Sequence, residues 1–291
     1  MNPRSRDPNG ERGSGFRWVA VSGGLYCPAP PVKFNSIICS PVPGVRSMWG
    51  FAELARGAAQ WLYPNACLIC DAPEAEPNPL RHGVCSNCHG SITAESASVC
   101  PRCAATVGPH TDVSDGCPAC RPRSFAFSKA FRLGPYENRL KEAILRIKHS
   151  PGEPLAERLG EILAEERLSV LKACGIQVVV PVPLHWRRRW SRGFNQAAAL
   201  AREIAFSLGA AFEPGRMRRI KPAVQHLQPS AAARWENIRG AFACRSGASF
   251  AGRTVLLVDD VMTTGSTADE AARTLRRAGA GEVAVAVLAR A

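Results

Sequence analysis

Apolar residues gather in short, valine-rich runs in the C-terminal half of the chain. Three of these runs are Ile176–Pro183, Thr254–Val258 and Val283–Leu288, each about the length of one strand. Runs that are apolar at nearly every position are typical of strands buried on both faces, as in parallel sheets. Because both faces must be covered, the pattern predicts helices between the strands.

Segments with a helical period separate these runs. Apolar residues recur at helical spacing over residues 137–148, 154–172, 194–208 and 266–278. Strands that alternate with helices of this length indicate βαβ units and a mainly parallel sheet. The sequence therefore predicts an α/β domain over residues 124–291.

Residues 1–47 show no sustained period and are rich in Gly, Pro, Ser and Arg. We expect them to be a disordered extension. Met48 stands directly before a short amphipathic segment and is an alternative start, which would make the extension non-native. The apolar side of that segment consists of Phe51, Leu54, Ala58, Trp61 and Leu62. Arg17, Ser22, Gly23 and Gly24 interrupt the only candidate signal-peptide core, Phe16–Tyr26, so we do not expect export.

Composition narrows the class of protein. The chain has 291 residues, of which 46% are apolar and 21% charged, as in ordinary globular proteins. No apolar run approaches the roughly 18 residues of a membrane-spanning helix. The net charge of +13 is unevenly distributed along the chain. Residues 51–123 include five basic and seven acidic residues, whereas residues 124–291 include 26 basic and 15 acidic residues. The C-terminal part is therefore suited to an anionic partner.

Eight of the twelve cysteines form four Cys-x-x-Cys pairs within a short stretch. The pairs are Cys67 with Cys70, Cys85 with Cys88, Cys100 with Cys103, and Cys117 with Cys120. Two such pairs supply the four tetrahedral ligands of a structural zinc ion, so the sequence predicts a double zinc ribbon with two Zn²⁺ over residues 48–123. Thiol ligands also indicate a reducing, cytoplasmic location rather than a disulfide scaffold. Sequential pairing is the simplest arrangement, and an interleaved cross-brace uses the same residues.

The segment Thr254–Thr267 carries the most specific chemistry. The apolar run is followed by two adjacent carboxylates, Asp259 and Asp260, and then by a turn of small hydroxyl residues around Gly265. Amides in such a turn and the N-terminus of the next helix can hold a phosphate. The alternative is a capped helix, because Ser266 with Asp269, or Thr267 with Glu270, has capping-box spacing. Capping does not account for the two carboxylates.

A basic and aromatic segment lies between two of the strands. It contains Trp186, Arg187, Arg188, Arg189, Trp190 and Arg192. The guanidinium groups are suited to a pyrophosphate. Together with the indoles they also resemble a groove for single-stranded nucleic acid. A solvated basic loop is the alternative without a function.

Two known patterns match these motifs. The Thr254–Thr267 segment resembles the phosphoribosyl pyrophosphate (PRPP) motif of type I phosphoribosyltransferases. The order of Cys pairs, Pro181-Val182-Pro183-Leu184, Arg192-Gly193-Phe194-Asn195-Gln196 and the acidic motif is similar to that of the ComF family of competence-associated proteins. The region Leu140–His149, with Lys148, also resembles this family, whereas Val224–Ser230 aligns poorly.

The resemblance implies a type I phosphoribosyltransferase fold joined to the double zinc ribbon. It assigns the ribose hydroxyls of PRPP to Asp259 and Asp260, and the 5-phosphate to Thr263, Thr264, Gly265, Ser266 and Thr267, with Mg²⁺ as cofactor. It also implies single-stranded DNA and DNA-uptake proteins as partners in natural transformation. No base-binding hood and no general base are evident in the sequence, so a non-catalytic adaptor that binds DNA or protein remains the alternative function.

Overall fold

Four short strands and one helix form the N-terminal part of the structure. The computed structural model describes residues 66–74, 79–95, 98–186, 190, 192–221, 230–245, 247 and 250–291. The N-terminal elements are β1 (Leu80–Arg81), β2 (Val84–Cys85), α1 (Ser86–Thr93), β3 (Ser98–Val99) and β4 (Thr106–Val107). Strands β1 and β2 form one antiparallel hairpin, and β3 and β4 form another. Each hairpin belongs to one set of four cysteines.

An alternating α/β arrangement follows. Its elements are β5 (Lys129–Pro135), α2 (Asn138–Arg146), α3 (Glu153–Glu166), α4 (Leu168–Ala173), β6 (Val178–Pro181), α5 (Gln196–Leu208), β7 (Ala211–Phe212), β8 (Met217–Arg219), α6 (Ala231–Ile238), β9 (Phe242–Cys244), β10 (Thr254–Met262), α7 (Ser266–Arg277) and β11 (Glu282–Arg290). Five strands form a parallel sheet in the order β5-β11-β10-β6-β7. The predicted parallel α/β sheet is confirmed.

Successive side chains of the valine-rich runs alternate between the two faces of the sheet, although nearly every residue of the runs is apolar. Val178 and Val180 face the core that includes α7, whereas Val179 between them faces the core that includes α2, α3 and α5. Leu256 and Leu257 on β10 divide in the same way. Every position is therefore buried, because each face of the sheet carries its own helical layer.

Two predicted elements have different bounds. The strand predicted over Thr254–Val258 continues to Met262, so Asp259 and Asp260 lie inside β10 rather than beyond its end. Pairing with the nine-residue β11 extends it, because β10 stays in register up to Met262 opposite Arg290. At the other boundary, the run predicted over Ile176–Pro183 gives only the four residues of β6.

The helix predicted over residues 154–172 is two helices. Helix α3 ends at Glu166 and α4 begins at Leu168, with Arg167 between them at φ −115° and ψ 11°. The Arg167 guanidinium donates to the carbonyl oxygens of Arg132 and Leu133 on β5, at 2.8 and 3.3 Å. The break thus coincides with a tertiary contact that the local apolar period does not reveal. The other three predicted helices are confirmed as α2, α5 and α7, with ends shifted by one to two residues.

Helices α3 and α5 pack closely because a glycine stands at their contact. A Cβ placed on Gly160 would lie 2.9 Å from the carbonyl oxygen of Leu200. Any larger residue would therefore push the two helices apart. This contact packs α5 on α3, and α5 begins at Gln196.

The first hairpin joins the core directly. Cys67, Cys85 and Cys88 are buried in the same apolar cluster as Ile144 of α2. Arg146 at the end of α2 donates to the carbonyl oxygen of Ile69 at 2.6 Å and to the carboxylate of Asp71 at 2.9 and 3.0 Å.

A buried arginine on the edge strand connects both hairpins to the sheet. Arg132 of β5 is 2% exposed. Its guanidinium makes two hydrogen bonds to the Glu95 carboxylate, at 3.0 and 2.7 Å, and a third to the Thr106 hydroxyl at 2.8 Å. Glu95 follows α1 and Thr106 lies in β4, so one side chain binds both halves of the N-terminal part.

Several sequence expectations lie outside the described residues. These are the disordered extension over residues 1–47, the amphipathic segment that follows Met48, and most of the poorly aligning Val224–Ser230 segment. Among the described helices, none is both long enough and apolar enough to cross a bilayer.

The buried pair between Arg132 and Glu95 yields a stability prediction. Glu95→Ala leaves the Arg132 charge buried without its carboxylate, so the free energy of unfolding should fall by about 3 kcal/mol. Glu142→Ala is the matched control, because its pair with Arg139 is solvent-exposed and should change stability by less than about 0.5 kcal/mol. Urea unfolding of both variants measures the difference. Equal stabilities would show that Arg132 does not hold the hairpins to the sheet.

Candidate functional site

Two carboxylates occupy the carboxyl-terminal part of the central strand β10. The Asp259 carboxylate accepts a hydrogen bond from the backbone N–H of Asp260 at 2.9 Å, and the Asp260 carboxylate accepts one from Val261 at 2.8 Å. Burial and the neighbouring Asp260 charge raise the pKa of Asp259 well above its usual value. A ligand that donates hydroxyl groups, or a cation, would relieve this repulsion.

The two acidic side chains meet different surroundings. Asp259 lines a narrow cleft together with Thr263, Gly265, Ser266 and Thr267. Asp260 does not line this cleft; its Oδ2 accepts a hydrogen bond from the Gln196 amide at 3.2 Å and lies 3.6 Å from Lys148 Nζ. The sequence-predicted acidic pair and phosphate turn are thus adjacent, and Asp259 is the carboxylate that shares a cleft with the turn.

Residues 263–267, called the phosphate turn below, connect β10 to α7. Gly265 has φ +82°, a conformation that favours glycine, and it directly precedes the first residue of α7. The Thr264 hydroxyl donates to the Ser266 hydroxyl at 3.0 Å and accepts from the Ser266 N–H at 3.4 Å. The amides of this turn and of the first turn of α7 therefore stand at the same sheet edge as Asp259, as phosphate binding requires.

The capping-box alternative for this segment is wrong. The helix begins after Gly265 without a side-chain cap. Asp269 Oδ1 instead accepts a hydrogen bond from the backbone N–H of Ala126 at 2.7 Å, and its Oδ2 accepts one from Arg273 at 2.8 Å. The carboxylate is thus used to bind a distant segment of the chain.

Lys148 and Gln196 are site residues whose role is not predicted from the sequence. Lys148 follows α2, and Gln196 is the first residue of α5, whose N-cap Asn195 accepts a hydrogen bond from Ala197. Both residues belong to segments that resemble the ComF family, and this resemblance is the signal in the sequence that could have identified them. Their position beside Asp260 depends on the packing of two helices against the sheet.

The basic and aromatic segment leaves the same edge of the sheet. Pro181 at the end of β6 is level with Val258, the residue before the acidic pair. Trp186 and Trp190 are 60% and 84% exposed, and Arg192 is half-buried. Arg187, Arg188 and Arg189 lie outside the described residues. The two indoles are accessible to a planar ligand, as stacking requires.

The cysteines form two four-thiol clusters, with sequential pairing. Within each cluster all sulfur atoms lie within 4.8 Å of one another. The cluster members are Cys67, Cys70, Cys85 and Cys88, and then Cys100, Cys103, Cys117 and Cys120. Sulfur pairs stand 3.6 to 3.8 Å apart, the separation expected around one tetrahedral ion with bonds of about 2.3 Å.

The surroundings of the thiols also suit a metal. The Cys67 sulfur accepts the N–H groups of Ile69 and Cys85, and the Cys100 sulfur accepts that of Cys117. Burial raises the pKa of Cys100, but backbone N–H groups from Cys103, Arg102 and Cys117 lower it to about 7 overall. Hydrogen-bonded thiolates and four protein ligands are features of structural zinc sites.

Comparisons with known proteins agree with both parts of this structure. A double zinc ribbon domain model matches residues 58–122, and a phosphoribosyl transferase domain model matches residues 191–291. The chain is 32% identical to the DNA utilization protein YhgH of Salmonella typhimurium over 231 residues, which cover 78% of this chain and 97% of that protein.

Two competence proteins are also similar. Competence protein F of Haemophilus influenzae is 31% identical over 72% of this chain and 92% of its own length. Competence protein ComFC of Bacillus subtilis is 26% identical over 78% of this chain and 95% of its own length. With the double zinc ribbon, the parallel sheet and these relatives over most of its length, the chain belongs to the ComF family.

Proposed function

We propose that this protein binds PRPP, together with Mg²⁺, at the carboxyl edge of its sheet. The observation that carries the proposal is the cleft shared by Asp259 and the phosphate turn. In this proposal the carboxylates of Asp259 and Asp260 accept hydrogen bonds from the ribose hydroxyls. The amides and hydroxyls of Thr263, Thr264, Gly265, Ser266 and Thr267 bind the 5-phosphate, as helix N-termini do.

The rest of the ligand is assigned to the neighbouring basic groups. Lys148 stands beside Asp260, and the segment that contains Arg187, Arg188, Arg189 and Arg192 follows β6, whose last residue Pro181 is level with Val258. Guanidinium and ammonium groups there would bind the pyrophosphate. Mg²⁺ is included because carboxylate and phosphate oxygens are its preferred ligands, and it would neutralise pyrophosphate charge.

A transferase reaction at this site follows from the ligand. The bond between the ribose C1 and the pyrophosphate oxygen breaks with its electron pair, and pyrophosphate leaves. An acceptor nucleophile then bonds to C1 and loses its proton. The basic side chains would stabilise the negative charge that develops on the leaving group.

The second candidate function is a non-catalytic DNA-binding adaptor. The exposure of Trp186 and Trp190 favours it, because sugar phosphate binding does not require two accessible indoles. The names of the relatives, which refer to DNA utilization and competence, support a role with single-stranded DNA and the proteins that take it up. In this reading PRPP is a regulatory ligand.

We also propose a division into a double zinc ribbon over residues 48–123 and a phosphoribosyltransferase-like domain over 124–291. The match of the family models to residues 58–122 and 191–291 supports it. Each cluster is assigned one structural Zn²⁺, and the use of thiols as metal ligands is typical of a reducing compartment such as the cytoplasm.

The PRPP site is tested by replacing its carboxylates. Asp259→Asn and Asp260→Asn should each weaken PRPP binding by about 1.5–3 kcal/mol in calorimetry with Mg²⁺, the range for hydrogen bonds to charged groups. Asp115→Asn, on an exposed loop of the ribbon, is the matched control and should bind as the wild type does. Wild-type affinity in both site variants would overturn the assignment.

The metal content is tested directly. The purified protein should contain two zinc ions per chain, and Cys117→Ser should contain one, because each cluster closes around its own ion. Elemental analysis measures the zinc content of each protein, and thiol titration measures its number of free cysteines. Fewer than one zinc per chain, with cysteines in disulfides, would contradict this prediction.

The DNA role is tested by salt dependence. Replacing Arg187, Arg188 and Arg189 by Ala should flatten the dependence of single-stranded DNA affinity on salt, since each phosphate contact contributes a slope of about −0.7. Trp190→Ala should cost about 1–3 kcal/mol with little change in slope. Phe206→Ala, which removes another exposed ring, is the control. If the arginine variant lost PRPP affinity alone, the segment would serve only the pyrophosphate.

A further inference from the structure

The segment that leaves the second cysteine cluster is attached to the helix that begins at the phosphate turn. The backbone N–H of Ala126 donates to buried Asp269 of α7 at 2.7 Å. Arg273 of the same helix donates to the carbonyl oxygen of Ser124 at 3.1 Å, and Arg276 donates to that of Ala126 at 3.3 Å. Residues 124–126 are therefore held on α7 at three points.

Phe125 in this segment packs directly on the phosphate turn. A Cβ placed on Gly265 would lie 3.2 Å from the Phe125 ring and 3.7 Å from the Met262 sulfur. The ring also stacks with Phe127, at 4.5 Å between centroids, and with Trp235 of α6, at 6.2 Å. Gly265, which is buried, thus packs on an aromatic stack.

The second cluster holds Phe125 through one of its own residues. Arg102 lies between Cys100 and Cys103, and its guanidinium carbon stands 5.7 Å from the centre of the Phe125 ring. The same guanidinium donates to the carbonyl oxygens of Cys120 and Arg123, at 3.1 and 2.5 Å. Its position therefore depends on both cysteine knuckles of the cluster being in place.

A second connection reaches the other end of the turn. Arg290, the last residue of β11, donates to the carbonyl oxygen of Met262, the residue before the turn, at 3.2 Å. Its Nε is buried and has no hydrogen-bond partner among the described residues. Cys103 and Cys117 are close enough to act electrostatically on this guanidinium. Arg290 therefore lies between the second cluster and the start of the phosphate turn.

The first cluster has no comparable connection within the described structure. Its arginine, Arg146, binds Ile69 and Asp71 at the end of α2. Its thiols pack into the core on the face of the sheet opposite α7. The two clusters are alike in sequence, but only the second touches the segments at both ends of the turn.

We propose that the second cysteine cluster positions the phosphate turn through Arg290 and through the Arg102–Phe125 contact, and so sets the affinity for a sugar 5-phosphate. The inference rests on the proposed PRPP site. Arg290 and Phe125 are positioning residues: they fix Met262 and Gly265 so that the amides of residues 263–267 are already ordered when the phosphate binds. Preorganised donors avoid the cost of ordering a loop on binding.

The test compares two arginines that bind a ribbon to the rest of the chain. Arg290→Leu and Phe125→Ala should weaken ribose 5-phosphate binding by about tenfold in calorimetry, the effect of losing about 1.4 kcal/mol. Arg146→Leu, the matched control at the first cluster, should stay within twofold of the wild type. Zinc content and the circular dichroism spectrum establish that each variant is folded.

Hydrogen exchange provides a readout that a general loss of stability would not give. In Arg290→Leu without ligand, exchange should accelerate in peptides that contain residues 263–267 and stay unchanged in β6 and α5. Folded Arg290→Leu and Phe125→Ala variants with wild-type affinity and wild-type exchange in the turn would overturn the proposal, as would an equal loss in Arg146→Leu. A wild-type protein that does not bind ribose 5-phosphate would instead refute the PRPP site itself.

Discussion

The parallel pairing of β10 with β11 is the constraint on which the site depends. The register runs from Thr254 opposite Glu282 to Met262 opposite Arg290, through side chains that are buried on both faces of the sheet. This pairing carries β10 past the point where its apolar run ends, so the two carboxylates are held by strand geometry. It also brings Arg290 to the start of the phosphate turn. The carboxyl edge of a parallel sheet is where α/β proteins bind their ligands, and here the edge is built from the two longest strands.

The N-terminal part is connected to this edge of the sheet by side-chain contacts and not by the polypeptide chain alone. A double hairpin of about 60 residues has too little apolar area for a core of its own, which is why cysteine clusters are needed. The first cluster is absorbed into the core beside α2, and Arg132 binds Glu95 and Thr106 from the edge strand. The second cluster is connected to the carboxyl edge of the sheet through Phe125 and Arg290. The cysteine clusters, the hairpins and the sheet therefore form one continuous set of contacts.

The sequence predicts those features that a short segment determines by itself. Cysteine spacing identifies the eight thiols of the two clusters, although the sequential pairing is seen only in the structure, and valine-rich runs between helical segments indicate the parallel sheet. The adjacent carboxylates and the glycine turn identify the candidate site because a strand, turn and helix occur within fourteen residues. Each of these features is determined by residues that are close together in the sequence, so each can be predicted without the structure.

Features that depend on distant contacts were not predictable in the same way. The break between α3 and α4 at Arg167 coincides with a contact to β5, and the apolar period of the local sequence does not reveal it. Lys148 and Gln196 reach Asp260 only after α2 and α5 pack on the sheet. Asp269 has the spacing of a capping residue, yet it binds Ala126, which lies 143 residues away in sequence. The supporting contacts of the site are long-range, whereas its motif is local.

The central claim is that residues 263–267 and the acidic pair bind the ribose 5-phosphate part of a ligand. The most direct measurement is a titration of the isotope-labelled protein with ribose 5-phosphate, followed by the chemical shifts of backbone amides. The account predicts the largest changes at residues 263–267 and in the first turn of α7, with smaller changes at Asp259 and Asp260. Saturable changes confined to the cysteine hairpins or to the segment around Trp190, with the turn unaffected, would contradict it.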